Sequence, residues 1–91
     1  MPAAHPDKVV SLAHLLPGST CIVVSIAGGH LLVRRLAALG IIAGTPVAVI
    51  ASNRSGPIIV QVRGGRVALG RGEAWKITVR PVAEEGEKAR Q

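Results

Sequence analysis

The chain has 91 residues, of which 48% are hydrophobic and 18% charged, and its 11 lysines and arginines against 5 acids give a net charge of +6. This length allows one domain, because a domain usually takes about 100–200 residues, and the apolar composition excludes a disordered chain. The single cysteine, Cys21, excludes an internal disulfide framework and a four-cysteine zinc site, so we expect a reducing compartment.

The positive charge predicts an acidic partner without identifying it. A net charge of +6 is equally compatible with nucleic acid, an anionic membrane face or an acidic protein surface as the partner. The longest apolar stretches, residues 21–27 and 36–50, are shorter than the roughly 20 apolar residues that a spanning helix needs. The first residues also lack the apolar centre of a signal peptide. We therefore expect a cytoplasmic protein with no direct insertion into the membrane.

Short strands separated by turns are predicted between two tails. Residues 1–10 and 83–91 carry polar and charged side chains without an apolar stripe and are predicted to be flexible, which leaves residues 11–82 as the domain. Residues 11–18 are predicted to form a turn-rich segment. The β-branched run Thr20–Ile26 then predicts the first strand, because such side chains fit a pleated surface well.

One segment has the periodicity of a helix. In residues 30–39, Leu32, Leu36 and Leu39 recur at steps of four and three and therefore share one helical face. Gly40 follows as the residue expected to end the helix in a left-handed conformation. The positions predicted to lie away from the leucine face are Arg34, Arg35 and Ala38.

The second half of the chain predicts four more strands, at residues 47–50, 58–63, 66–69 and 76–79. Gly64 and Gly65 alone separate two of them, which is the spacing of a two-residue hairpin whose turn requires positive φ angles. Residues 70–75 are predicted to form one short helical turn. Because a parallel sheet would need a helix between most strands, the pattern favours a mainly β fold, a small antiparallel barrel of about five strands with one short helix after the first strand.

The polar residues predict no catalytic centre, cofactor site or metal site. Glu73 stands alone, and the other acids lie in the predicted tails, so no acid and base pair can form. The histidines are far apart in the sequence and share no i, i+3 or i, i+4 spacing, which makes exposed polar side chains a better interpretation than zinc or iron ligands. A triad using Cys21 is disfavoured because a cysteine within a strand is usually packed and inert.

Four arginines in the second half leave an alternative function open. Arg63, Arg66, Arg71 and Arg80 are predicted to cluster there, either as solvated side chains, as contacts to an acidic protein, or as contacts to phosphates. Single-strand binders normally stack bases on aromatic rings, and the only aromatic residue, Trp75, is equally suited to filling the barrel mouth. A small basic barrel that binds nucleic acid is therefore the second hypothesis.

Several blocks of sequence occur in an order that resembles the ferrous iron transport protein A (FeoA) family. They are Leu-Leu-Pro-Gly at residues 15–18, the arginine-leucine helix with its glycines at 35–44, Gly-Pro-Ile at 56–58, Val-Arg-Gly at 62–64 and residues 68–74. The most specific block is the helix that ends in Leu39-Gly40, with Gly44 four residues later. The resemblance implies an SH3-like barrel, a non-enzymatic cytoplasmic role, and association with FeoB, the large membrane GTPase-permease that moves ferrous iron inward.

A docking role places the candidate partner-binding residues on the predicted helix. They are Arg34, Arg35, Leu36, Ala38 and Leu39. The leucines of such a face are more often core than interface, so the arginines and Ala38 are the better candidates for exposed contacts. Exposed apolar surface on so small a barrel also leaves self-association open.

Overall fold

The computed structural model describes residues 8–53 and 55–82, and these form one six-stranded sheet with two helices. The strands are β1 (Val10–Ser11), β2 (Thr20–Ile26), β3 (Pro46–Ser52), β4 (Ile58–Val62), β5 (Gly65–Leu69) and β6 (Ile77–Pro81). The helices are α1 (His30–Ala38) and α2 (Arg71–Trp75), and a 3₁₀ turn covers Leu12–His14. Every pairing is antiparallel, in the order β1-β6-β2-β3-β4-β5, which confirms the mainly β fold.

The sheet has one strand more than expected. Val10, assigned by sequence to a flexible tail, lies in β1 and pairs with Val79 of β6. A strand of two residues is too short to show the alternation on which prediction depends. Within the described residues the sheet is open, with β1 and β5 at its two ends, so the predicted barrel is not closed by strand pairing. The proposed tails, apart from residues 8–10 and 82, lie outside the described residues.

An aliphatic core fills the space that the sheet and α1 enclose. Alternate side chains of the strands point inward, as the burial of Val47 and Val49 in β3 and of Ile77 and Val79 in β6 shows. Cys21 and Leu36 join them with no exposed surface. The remaining buried hydrophobic residues are Leu12, Val23, Ile41, Ile58, Val60, Val62, Leu69 and Ala74.

The β4-β5 hairpin turns one residue earlier than its glycines suggest. Val62 pairs with Gly65, so the two turn residues are Arg63 and Gly64, with φ angles of 51° and 83°. A turn at Gly64-Gly65 would slip the register by one residue and move the inward valines of β4 to the outer face. Burial of Val60 and Val62 thus outweighs the cost of placing a non-glycine residue at positive φ.

Helix α1 lies between β2 and β3 and is fixed at its C-terminal end. Gly40 has φ +93°, which confirms the expected left-handed stop, and its N–H donates to the carbonyl of Ala37. The N–H of Ile41 donates to the carbonyl of Leu36, and both side chains are buried. The last turn therefore fixes the C-terminal end of the helix, and the partly buried Leu32 in its first turn also packs against the core.

Candidate docking surface

One stripe of the exposed side of α1 is formed by Leu31, Arg34, Arg35, Ala38 and the C-cap residue Leu39, which together are called the docking surface below. The structure places four of the five predicted partner-binding residues on it, with Leu39 at 40% exposure. Leu36 is the exception. Its side chain is 0% exposed and packs in the core, so it cannot contact a partner of the folded domain.

Leu31 is the member of this surface that sequence reasoning missed. It is 83% exposed, the highest value among the large hydrophobic residues of the described chain. Residues three and four apart are neighbours on a helix, so Leu31 lies one turn from Arg34 and Arg35, and these lie one turn from Ala38. The arrangement is an apolar and cationic stripe along the exposed side of α1.

An ion pair joins α1 to α2. The Arg35 guanidinium donates to one carboxylate oxygen of Glu73, and the other oxygen accepts from the backbone N–H of Gly70 at 3.0 Å. Glu73 thereby caps the N-terminus of α2 and anchors Arg35 at the same time. Arg34 differs from Arg35, because it makes no hydrogen bond or ion pair with any residue that the structure describes.

Two further cations lie at the ends of α1. The aliphatic part of Arg63 packs against Gly40, so a β-carbon added to Gly40 would lie 3.2 Å from the Arg63 Cδ. The aliphatic part of Lys76 packs against Gly28, just before α1. Their heads make no ion pair within the described residues. Arg34, Arg35, Arg63 and Lys76 are called the cationic set below.

The described residues carry a strongly unbalanced charge. Glu73 is their only acid, and subtracting it from eight lysines and arginines leaves a net charge of +7. The eight cations are Lys8, Arg34, Arg35, Arg63, Arg66, Arg71, Lys76 and Arg80. Because Glu73 is occupied by Arg35 and by the α2 cap, the described residues around α1 contribute a net positive charge.

Arg71 does not belong to a free arginine cluster. Its guanidinium donates to the carbonyls of Gly56 at 3.3 Å and Asn53, to the Ser52 hydroxyl at 3.2 Å, and weakly to the carbonyl of Ala13 at 3.5 Å. It therefore joins α2 to the 3₁₀ turn and to the loop between β3 and β4. Arg71 is therefore neither a freely solvated side chain nor free to contact an acidic protein or phosphates, because its donors are already used inside the domain.

The remaining candidates for chemistry do not form a site in the described part of the chain. Trp75 is 52% exposed and meets the ring of His14 edge-on at 4.8 Å between centroids, so it lies on the surface rather than inside the barrel. No group of three or more histidine, cysteine or acidic side chains comes together there with the geometry of a metal site.

Cys21 is a buried thiol whose S–H donates to the carbonyl of Val47 at 3.6 Å. Burial raises the pKa of the Cys21 thiol from 9.0 to about 11. Because the folded pKa lies above the unfolded one, its stabilising contribution is complete below pH 9 and is lost as the pH rises to about 11. We expect the free energy of unfolding to fall by about 2 kcal/mol over this window.

Urea denaturation on either side of that pH window tests the Cys21 titration. The chain has no tyrosine, so the lysines and the amino terminus are the other alkaline groups. The matched variant Cys21→Val keeps an apolar side chain of similar volume without a thiol and should show a flatter pH dependence. Equal pH dependence of the two proteins would contradict the assignment.

The fold and its exposed helix define the class of protein: a small, antiparallel SH3-like domain that presents cations on one helix. The FeoA domain model matches residues 10–81, and the chain therefore belongs to the FeoA family. That family is associated with ferrous iron transport. No helix in the parts of the chain described here has the length and hydropathy to cross a bilayer.

Individual relatives agree with this membership. A Methanocaldococcus jannaschii protein named as an Fe(2+) transport protein A is 38% identical over 76 residues, which cover 84% of this chain and 92% of the relative. A crystal structure of an iron uptake regulatory protein (FeoA) has 40% identity and a TM-score of 0.79, covering 82% of this chain and all of the other. FeoA from Stenotrophomonas maltophilia, described as an SH3 domain protein and complexed with zinc, has 29% identity and a TM-score of 0.67 over 77% and 88% of the two chains.

Proposed function

We propose that the protein is a cytoplasmic, non-enzymatic accessory of ferrous iron uptake, and that it docks through α1 on the membrane GTPase-permease FeoB. Membership of a family associated with ferrous iron transport supports the process. The observation that carries the docking role is the exposed stripe of α1, where Leu31 is 83% exposed beside Arg34, which has no ionic partner among the described residues. Leu31 and Leu39 are both exposed on this surface, and exposed apolar side chains grouped among polar ones mark a surface that another molecule covers.

The structure divides the docking surface into two kinds of side chain. Arg34 and Ala38 are exposed, one turn apart, and free of contacts that hold the domain together, so changing them tests docking without disturbing the fold. Arg35 is unsuitable for the same purpose, since replacing it with an acid would place two carboxylates beside each other at Glu73 and loosen α2.

Co-purification with the detergent-solubilised transporter tests the proposal. The double variant Arg34→Glu with Ala38→Glu should reduce retention about tenfold or more, because reversing a contact charge adds repulsion and 1.4 kcal/mol corresponds to tenfold. A matched control changes an exposed arginine and an exposed alanine of β5 in the same way, Arg66→Glu with Ala68→Glu, and should retain the transporter.

Circular dichroism of both double variants establishes that they are folded before they are compared. If the α1 variant retains the transporter as well as the unchanged protein does, docking through α1 is refuted. If both variants lose it equally, general charge attraction and not α1 is responsible.

A further inference from the structure

We propose that the α1 side of the domain also binds the anionic headgroups of a phospholipid membrane, with Leu31 reaching the boundary between headgroups and acyl chains. This inference does not depend on the proposed docking on a transporter, because the ligand is lipid alone. It concerns a peripheral contact, since no helix within residues 8–53 and 55–82 has the length and hydropathy to cross the bilayer.

Charge complementarity is the first argument. The cationic set comprises Arg34 and Arg35 on α1, Lys76 beside Gly28 before the helix and Arg63 beside Gly40 after it. The one acid among the described residues, Glu73, is held by Arg35 and by the cap of α2, so no carboxylate there repels an anionic surface. An extended field of one sign matches a plane of anionic lipids, to which each nearby lysine or arginine adds attraction.

The apolar side chains beside these cations suit the headgroup boundary of a lipid bilayer and do not suit a single-stranded nucleic acid. The exposed hydrophobic residues on and just after α1 are all aliphatic: Leu31, Val33, Leu39 and Ile42. Single-stranded nucleic acid is normally bound by stacking bases on aromatic rings, whereas α1 has no tryptophan, tyrosine or phenylalanine. A helix lying in a membrane interface needs aliphatic side chains on one side and cations around them.

The neighbours of Leu31 also suit this role. Arg34 and Arg35 follow it by three and four residues, so both heads lie one turn away on the same side of α1. Their long stems allow the charged heads to remain among the phosphates while the leucine side chain goes deeper. Arg34 is the freer of the two, because Glu73 already binds Arg35.

Sedimentation with protein-free vesicles tests the proposal. The probe is a set of vesicles of equal parts phosphatidylglycerol and phosphatidylcholine, compared with vesicles of phosphatidylcholine alone, at moderate salt. We expect binding to the anionic vesicles only. Arg34→Glu should weaken it about tenfold, and Leu31→Gln about fivefold, because one removes a cation and adds an anion while the other removes an aliphatic anchor.

The matched control is Arg80→Glu, which makes the same charge change on an exposed residue of β6 opposite Ile22. It should weaken vesicle binding by about twofold at most, since it lies outside the cationic set. An equal loss in Arg80→Glu and Arg34→Glu would overturn the proposal in favour of attraction by net charge.

Two other outcomes also decide against it. No binding to anionic vesicles would show that the α1 side recognises no lipid, whatever the transporter experiment gives. If Leu31→Gln binds the vesicles unchanged while Arg34→Glu loses most of its vesicle binding, the contact is purely electrostatic. A nucleic acid also makes contacts of that kind. Because the vesicles contain no protein and the transporter assay uses detergent, failure of one proposal leaves the other separately testable.

Discussion

Replacing Leu36 with alanine is expected to lower the free energy of unfolding by about 3–4 kcal/mol, because the change leaves a cavity in an aliphatic core. Leu36 is 0% exposed and shares that core with Ile41, whose N–H donates to its carbonyl. A domain of this size is expected to have a stability near the lower end of the usual range of about 5–15 kcal/mol. The variant should therefore be partly unfolded at moderate temperature, as urea denaturation followed by circular dichroism will show.

Leu31→Ala is the matched control for Leu36→Ala, since it removes the same atoms from the same helix. Leu31 is 83% exposed, so its truncation should change stability by about 0.5 kcal/mol at most. A similar loss in both variants would contradict the assignment of Leu36 to the core. The comparison also matters for function, because loss of a partner by Leu36→Ala would report unfolding and not docking.

Local patterns predicted most of the fold. The run Thr20–Ile26 is a strand with the bounds that its β-branched residues indicate, and the leucine periodicity identified α1 to within one residue at its C-terminal end. Such segments are predictable because alternation and 3.6-residue spacing are local properties of the chain. The same spacing was too coarse for a nine-residue helix, where it grouped the buried Leu36 with the 40% exposed Leu39.

The features that sequence missed depend on contacts between distant segments. The register of the β4-β5 hairpin is set by the burial of valines, and the glycine pair alone placed the turn one residue late. The partner of Arg35 is 38 residues away at Glu73, and no local pattern marks that pair. Exposure of Leu31 follows from where α1 rests on the core, which also requires the three-dimensional arrangement.

The two arginines of α1 therefore have different roles, although they are adjacent in the sequence. Arg35 binds the only acid of the described residues and helps to hold α1 against α2. Arg34 has no ionic partner among the residues that the structure describes. Effects of Arg35 variants on binding will combine local stability with charge, whereas effects of Arg34 variants report charge on the docking surface.

Arg71→Lys is expected to lower the free energy of unfolding by about 2–3 kcal/mol, because hydrogen bonds from a charged donor contribute about 1.5–3 kcal/mol each and several part-buried ones are lost. The Arg71 guanidinium reaches acceptors on three segments, at Ala13, at Ser52 and Asn53, and at Gly56. A lysine keeps the charge, but one ammonium group cannot span these acceptors. The midpoint of thermal unfolding should fall by about 10 °C or more.

The same substitution at an exposed arginine separates geometry from charge. Arg66 lies on the exposed side of β5 opposite Gln61, so Arg66→Lys should leave the midpoint within about 3 °C of the unchanged protein. If Arg71→Lys is equally harmless, the guanidinium does not join the segments that it contacts. If only Arg71→Lys is destabilising, the Arg71 guanidinium helps to hold α2 to the rest of a sheet that is open between β1 and β5. Arg71, one of the four arginines for which sequence left a phosphate contact open, is then a structural element of the domain.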